Sequence, residues 1–167
     1  MPTTLYIIRH GETEDNARRI FQGQTPGKLS QKGEEQAAAL QAKLKAIYFD
    51  VVLCSDLKRC VDTAKIALKE KDVPIITTPL LRERNMGNLT GLSMINATLN
   101  KSVESNEAVG TRAGAFLQLI NKEYAGKNIL VFSHGFFLKM LQSVIEDKPQ
   151  HEIPVMGNCE IRTFEIE

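Results

Sequence analysis

Four apolar residues, Leu5-Tyr6-Ile7-Ile8, run without a break into Arg9-His10-Gly11, and a second apolar stretch, Ile129 to Phe132, runs into Ser133-His134-Gly135. Apolar runs of this length read as buried strands. Each strand delivers an imidazole to its own C-terminal end, the edge beyond which ligands bind in open α/β sheets. Arg9 stands beside the first histidine. Arg59 falls in the first turn of a helix that follows a third apolar run, Val51 to Cys54, and reaches the same edge if the strands are parallel neighbours. Guanidinium groups keep their charge at any working pH and offer paired donors to oxygen. Two of them beside two imidazoles suit a tetrahedral dianion, which makes this a pocket for a phosphoryl group.

Binding alone would not require histidine. A neutral imidazole attacks phosphorus through one ring nitrogen when a hydrogen bond to the other fixes the tautomer, and it then carries the phosphoryl group covalently. His10 is the expected nucleophile, with Arg9, Arg59 and His134 holding the equatorial oxygens as charge redistributes in the transition state. A leaving alkoxide also needs a proton. Glu83 is the candidate donor, and afterwards the base for the water that hydrolyses the phosphohistidine. Burial would favour its protonated form and the adjacent Arg82 and Arg84 would oppose it, so the residue types leave that balance open.

Several elements must bring these residues together. Glu12 to Leu29 is polar, holds Gly23, Pro26 and Gly27 and has no sustained period, which predicts a long, functional loop. Ser30 offers an N-cap to a helix with Ala37, Leu40, Leu44 and Ile47 on one stripe. After the strand at Val51–Cys54, Ser55-Asp56 is expected to cap a helix whose stripe is Leu57, Cys60, Val61, Ala64 and Leu68. Val73 to Thr77 reads as a strand, and Pro79 starts a loop through Gly87 and Gly91. From Ser93 to Gly110 the pattern is weak, with Ile95, Leu99 and Val103 at four-residue spacing as the trace of a short helix. Ala113, Phe116, Leu117, Ile120 and Tyr124 restore a helical stripe that Gly126 ends. A helix from Phe136 to about Glu146 and an alternating strand from Glu160 to Ile166 complete the chain.

Length and composition narrow the setting. The 167 residues fit one domain, and the hydrophobic fraction of 43% and charged fraction of 25% are those of a globular protein. A net charge of +1 attracts no polyanion in bulk, which argues against nucleic acid as a partner. Three cysteines, Cys54, Cys60 and Cys159, show no metal-ligand spacing, and no signal-like segment opens the chain, so a cytoplasmic protein is expected. Apolar runs are far shorter than the roughly 20 residues of a membrane-spanning helix, so no membrane role is expected.

Taken in order, Arg9-His10-Gly11-Glu12-Thr13 with Asn16, Phe21-Gln22-Gly23, Leu29-Ser30 with Gly33, Ser55-Asp56-Leu57-Lys58-Arg59 with Thr63-Ala64, Leu81-Arg82-Glu83 with Gly87 and Gly91, and Ser133-His134-Gly135 resemble the histidine phosphatase superfamily, in its phosphoglycerate-mutase-like branch. The resemblance covers most of the chain. It implies an α/β fold, a three-layer α/β/α sandwich with a mostly parallel central sheet and a reduced cap inserted at about 92–111 in a single domain, 1–167. It makes His10 the phosphorylated residue, Arg9, Arg59 and His134 the phosphate pocket and Glu83 the proton donor, with Asn16, Gly23 and Gly135 on the substrate-binding side. It implies no cofactor and no metal. The mutases of the family carry a longer insertion between the positions of Glu83 and His134, and aromatic residues where Asp15 and Met86 stand here. A lid that leaks water turns transfer into hydrolysis. The expected activity is therefore metal-independent hydrolysis of a phosphomonoester, most simply a small phosphorylated metabolite. Alternatives are phosphoglycerate-mutase-type transfer, a phosphohistidine phosphatase acting on a phosphoprotein, and a binding module without turnover. Oligomeric state is left open.

Overall fold

The computed structural model describes all 167 residues. Five strands form one sheet: β1 (Thr3–Arg9), β2 (Val51–Ser55), β3 (Ile75–Thr78), β4 (Asn128–Ser133) and β5 (Ile161–Ile166), in the spatial order β3-β2-β4-β1-β5. All neighbours are parallel except β5, which pairs antiparallel with β1 at one edge. The helices are α1 (Glu14–Arg18), α2 (Gln31–Lys45), α3 (Lys58–Ala67), α4 (Asn106–Glu123) and α5 (Gly135–Glu146).

The inner strands β1, β2 and β4 are largely apolar because both faces of the sheet are covered there. Side chains alternate between the faces with the two-residue period of a strand. Leu5, Ile7, Leu53, Ile129 and Val131 pack with Phe116 and Ile120 of α4 and Phe137 and Leu141 of α5. Ile8, Val52, Cys54, Leu130 and Phe132 pack on the other side with Leu40 and Leu44 of α2 and Cys60 and Ala64 of α3. These two cores make the α/β/α sandwich that the resemblance implies.

Several local readings need correction. The long loop after β1 contains α1, whose Thr13 N-cap and Asn16 form a reciprocal capping box. That helix is five residues long and buries none of them, so it leaves no apolar period to detect. Neither Ser55 nor Asp56 caps α3: its N-cap is Leu57, with no side-chain cap bond. Asp56 instead pairs with Arg82 through two 2.7 Å bonds. No helix forms over Ile95, Leu99 and Val103, and residues 106–111, expected in the cap, are the first turns of α4, capped by Ser105. The residues at 95 and 99 are exposed, so their spacing reflects no packing face.

The turn that carries the chain away from His10 is pinned onto the start of α2. The Glu12 carbonyl accepts from the Ser30 N–H at 2.9 Å, and the Glu12 N–H donates to the Gln36 side chain. Backbone approach here is so close that a Cβ on Gly33 would lie 1.9 Å from the Glu12 oxygen, and one on Gly11 would lie 2.6 Å from the Gly33 oxygen. Gly33→Ala should therefore destabilise the protein by about 1–3 kcal/mol, the scale of an overpacked site. Urea unfolding at pH 7 checks this, and an unchanged midpoint would show that the turn is loosely held.

Candidate active site

His10 follows β1 and is 3% exposed. Its Nδ1 lies 2.7 Å from the Gly11 carbonyl oxygen. A carbonyl can only accept, so the ring proton sits on Nδ1 and the lone pair on Nε2. Burial, then the nearby charge of Arg59, pushes the imidazole down to about 3, with Arg9 adding to the effect and the Gly11 carbonyl opposing it. The neutral ring at pH 7 thus has one fixed tautomer and a free nitrogen for nucleophilic attack. Asn158 holds the strand end from the other side, donating its side-chain N–H to the His10 carbonyl at 3.0 Å.

Arg59 reaches the site from the first turn of α3 and is 1% exposed. Its guanidinium donates to the carbonyls of Thr25, at 2.5 Å, and Gly23, at 2.7 Å. Arg9 donates to the Met156 carbonyl at 2.7 Å. Neither is in a salt bridge, and each leaves a buried Nε without an acceptor. Carbonyls orient these guanidinium groups without neutralising them, so both charges remain available to an anion. Burial lowers both groups from their ordinary range, a tendency that a bound dianion would oppose.

Glu83 approaches across the edge of the sheet. Its Oε1 accepts from the backbone N–H of Arg84 at 2.8 Å and of Phe137 at 3.0 Å, and its Oε2 accepts from Phe136 at 3.1 Å. The carboxyl group is thereby seated on the N-terminus of α5. Asn16 accepts the Thr13 N–H through its Oδ1, which leaves its amide hydrogens for another partner. Gly23 adopts φ +54°, and a Cβ there would meet the Met86 backbone nitrogen at 3.0 Å, so a left-handed turn and a close approach both require glycine. Gly135 lies against Arg9, where a Cβ would come within 3.1 Å of Nε.

Arg9, His10, Asn16, Gly23, Arg59 and Glu83 all line one cleft of about 260 Å³. His134 and Gly135 do not. The His134 ring lies 5.2 Å from that of His10, edge to face, and is completely buried. Its Nε2 is 2.8 Å from the Ser55 hydroxyl and 3.4 Å from the Cys60 sulfur. Burial holds this imidazole well below its ordinary value, reinforced by the charge of Arg59. Residue types alone did not single out Ser55, Thr63 or Asn158. Thr63 accepts the Gly11 N–H at 3.0 Å and so ties α3 to the turn after His10. These residues act through contacts between distant parts of the chain. The available signals were the motif that holds Ser55 and Thr63 and the position of Ser55 after a strand at the edge that carries both histidines. Sequence reasoning also missed the apolar wall of the cleft, formed by Phe21, Met86, Met94, Leu99 and Phe136.

The mostly parallel sheet and this edge, with its paired histidines and arginines, define a phosphoryl-transfer enzyme of the α/β class. Residues 5–167 match the sequence profile of the histidine phosphatase superfamily (branch 1), and the chain belongs to that family. Among its relatives, a broad-specificity phosphatase of Saccharomyces cerevisiae is 33% identical over 92% of this chain and 75% of its own length. A probable phosphoglycerate mutase of Escherichia coli is 33% identical over 87% of this chain and 75% of its own length. Among solved structures, the alpha-ribazole phosphatase from Shigella flexneri superimposes with a TM-score of 0.86 at 26% identity, over 96% of this chain and 89% of that one. The YhfR protein of Bacillus stearothermophilus gives 0.90 at 27% identity, over 99% and 92%.

Both histidines are held below their unfolded value near 6.5, so between that value and the folded one the unfolded chain binds more protons. Their contribution to stability is complete above about pH 6.5 and is lost as pH falls toward about 3, the value to which His10 is pushed. Carboxylates held low, such as Asp56, release their contribution at lower pH still. Between pH 6.5 and 5 the midpoint of urea unfolding should therefore fall, and more steeply in the wild type than in a His134→Asn variant. Equal slopes would mean that His134 does not titrate on unfolding.

Proposed function

We propose that the protein is a phosphatase that hydrolyses a phosphomonoester through a phosphohistidine on His10. The observation that carries this reading is the fixed tautomer of His10: its proton is committed to the Gly11 carbonyl, which leaves the Nε2 lone pair in a cleft with two guanidinium groups that have no carboxylate partner. Nε2 attacks phosphorus as the bond to the leaving oxygen breaks, and the leaving oxygen takes the proton of Glu83. Water then attacks the phosphohistidine, Glu83 takes a proton from it, and the P–N bond breaks to release phosphate and restore neutral His10. Arg9 and Arg59 balance the two charges of the phosphoryl group throughout, and Asn16 and the Gly23 turn bound its position. His134 lies behind His10, where its ring packs edge to face against the nucleophile and its Nε2 meets the Ser55 hydroxyl.

The short stretch between Glu83 and α4 supports hydrolysis over retained transfer. It is irregular in structure over residues 92–105 and leaves Leu92, Met94, Ile95 and Leu99 open to solvent, so water has access to the intermediate. A small phosphorylated metabolite is the substrate class that fits the cleft. The cytoplasm is the proposed setting, supported by three free, buried cysteines; no helix is long and apolar enough to cross a membrane.

His10→Ala should lower kcat on p-nitrophenyl phosphate by about 10³-fold or more, because no other side chain in the cleft can form the intermediate. Wild-type protein mixed with labelled substrate and quenched should carry an acid-labile, base-stable phosphate that the variant lacks. Full activity in His10→Ala would sink the proposal. Glu83→Gln should cost roughly 10²–10⁴-fold on an alkyl phosphate and much less on p-nitrophenyl phosphate, whose leaving group needs no proton. Activity should survive EDTA and should not need a bisphosphorylated primer; dependence on such a primer would mark a mutase.

A further inference from the structure

Beyond the phosphate clamp, the cleft is walled by Phe21, Met86, Met94, Leu99 and Phe136. Two of these, Met94 and Leu99, are 42% and 49% exposed, a costly arrangement for large apolar side chains grouped at one mouth. The rim beside them is not a loose loop. Gly91 donates its N–H to the Phe21 carbonyl at 2.7 Å, Phe21 donates back to Leu92 at 2.9 Å, and Met94 donates to Arg19 at 2.8 Å. An antiparallel bridge between Ile20 and Ser93 joins the same two segments. Backbone pairing thus sets Phe21 opposite Leu92 and Met94 opposite Arg19 and holds these two segments of the rim together before any ligand arrives.

Charge in the cleft points the same way. Arg9 and Arg59 match a phosphomonoester dianion. The remaining ionisable residues of the cleft are Glu83 and Arg84. Arg84 is fixed by a 2.6 Å bond from Nε to the Glu104 carbonyl and by its guanidinium lying 4.7 Å from the centre of the Phe136 ring. After Glu83 gives up its proton it is a carboxylate beside the departing alcohol, which disfavours an anionic alcohol.

We propose that this rim is a leaving-group subsite that selects phosphomonoesters of uncharged, apolar alcohols over those with a second anionic group. The inference rests on the phosphatase reading and adds the substrate class to it. The continuity of the apolar wall with the phosphate clamp assigns the wall to substrate and not to a second copy of the chain.

A series of straight-chain alkyl phosphates tests it, because lengthening the chain beyond ethyl scarcely changes the basicity of the leaving oxygen. From ethyl to hexyl phosphate, kcat/KM should rise roughly threefold per methylene, close to what burial of each CH₂ provides. A hexyl chain ending in a carboxylate should fall at least about tenfold below hexyl phosphate. The Met94→Ser/Leu99→Ser double variant changes exposed positions and should fold; it should flatten the chain-length dependence. Equal kcat/KM for all chain lengths, or a preference for the carboxylate, would overturn the subsite while leaving the phosphatase intact. No turnover of any ester, p-nitrophenyl phosphate included, and no labelled His10 would overturn both. A dimer by gel filtration that the double variant dissociates, with the chain-length dependence unchanged, would assign the rim to subunit contact and also overturn the proposal.

Discussion

The parallel pairing of β1 with β4 sets Arg9 opposite Ser133 in the centre of the sheet, and the His10 N–H donates to the Ser133 carbonyl at 3.0 Å. The site depends on this register. A slip of one residue would turn every side chain of β1 to the other face, moving Ile8 into the core that holds Leu5 and Ile7 and taking Arg9 and His10 off the edge. The two apolar cores therefore do more than stabilise the fold. By fixing which face each strand residue occupies, they fix where the strand ends deliver their histidines.

Burial of so much polar chemistry is expensive unless each group has a partner. Three devices meet that cost here. Arg59 is wrapped by the carbonyls of Gly23 and Thr25, which orient the guanidinium but cancel none of its charge. The histidines stay neutral, so burial exacts no price for an ionised ring. Glu83 has both carboxyl oxygens satisfied by backbone N–H groups at the start of α5. The loop after β1 contributes through the Gly23 and Thr25 carbonyls and through Asn16, which makes a mostly polar segment without a sustained period part of the machinery.

The apolar rim follows a different logic. Phe21 comes from that loop, Met94 and Leu99 from the irregular stretch after Glu83, and Phe136 from the first turn of α5. Backbone hydrogen bonds between residues 19–21 and 91–94 bring the first two segments together. Side-chain periodicity cannot report a wall assembled in this way, because neither contributing segment has a regular face.

Local pattern was enough for much of the architecture. Continuous apolar runs identified the parallel strands, helical stripes at Leu40–Leu44 and Phe116–Ile120 identified their covering helices, and residue type at strand ends marked Arg9, His10 and His134. Those features are legible because burial on both faces and a 3.6-residue period are written in consecutive residues. Tertiary structure alone decided the rest. The five-residue helix α1 forms by side-chain capping and buries nothing, the spacing of Ile95, Leu99 and Val103 corresponds to no helix, and His134 sits behind His10 against Ser55 and Cys60, away from the cleft surface. The tautomer of His10 and the open charges of the arginines depend on hydrogen bonds to one or two particular carbonyls. Backbone carbonyls are the same in every residue, so only the folded path of the chain determines which of them meets a given side chain.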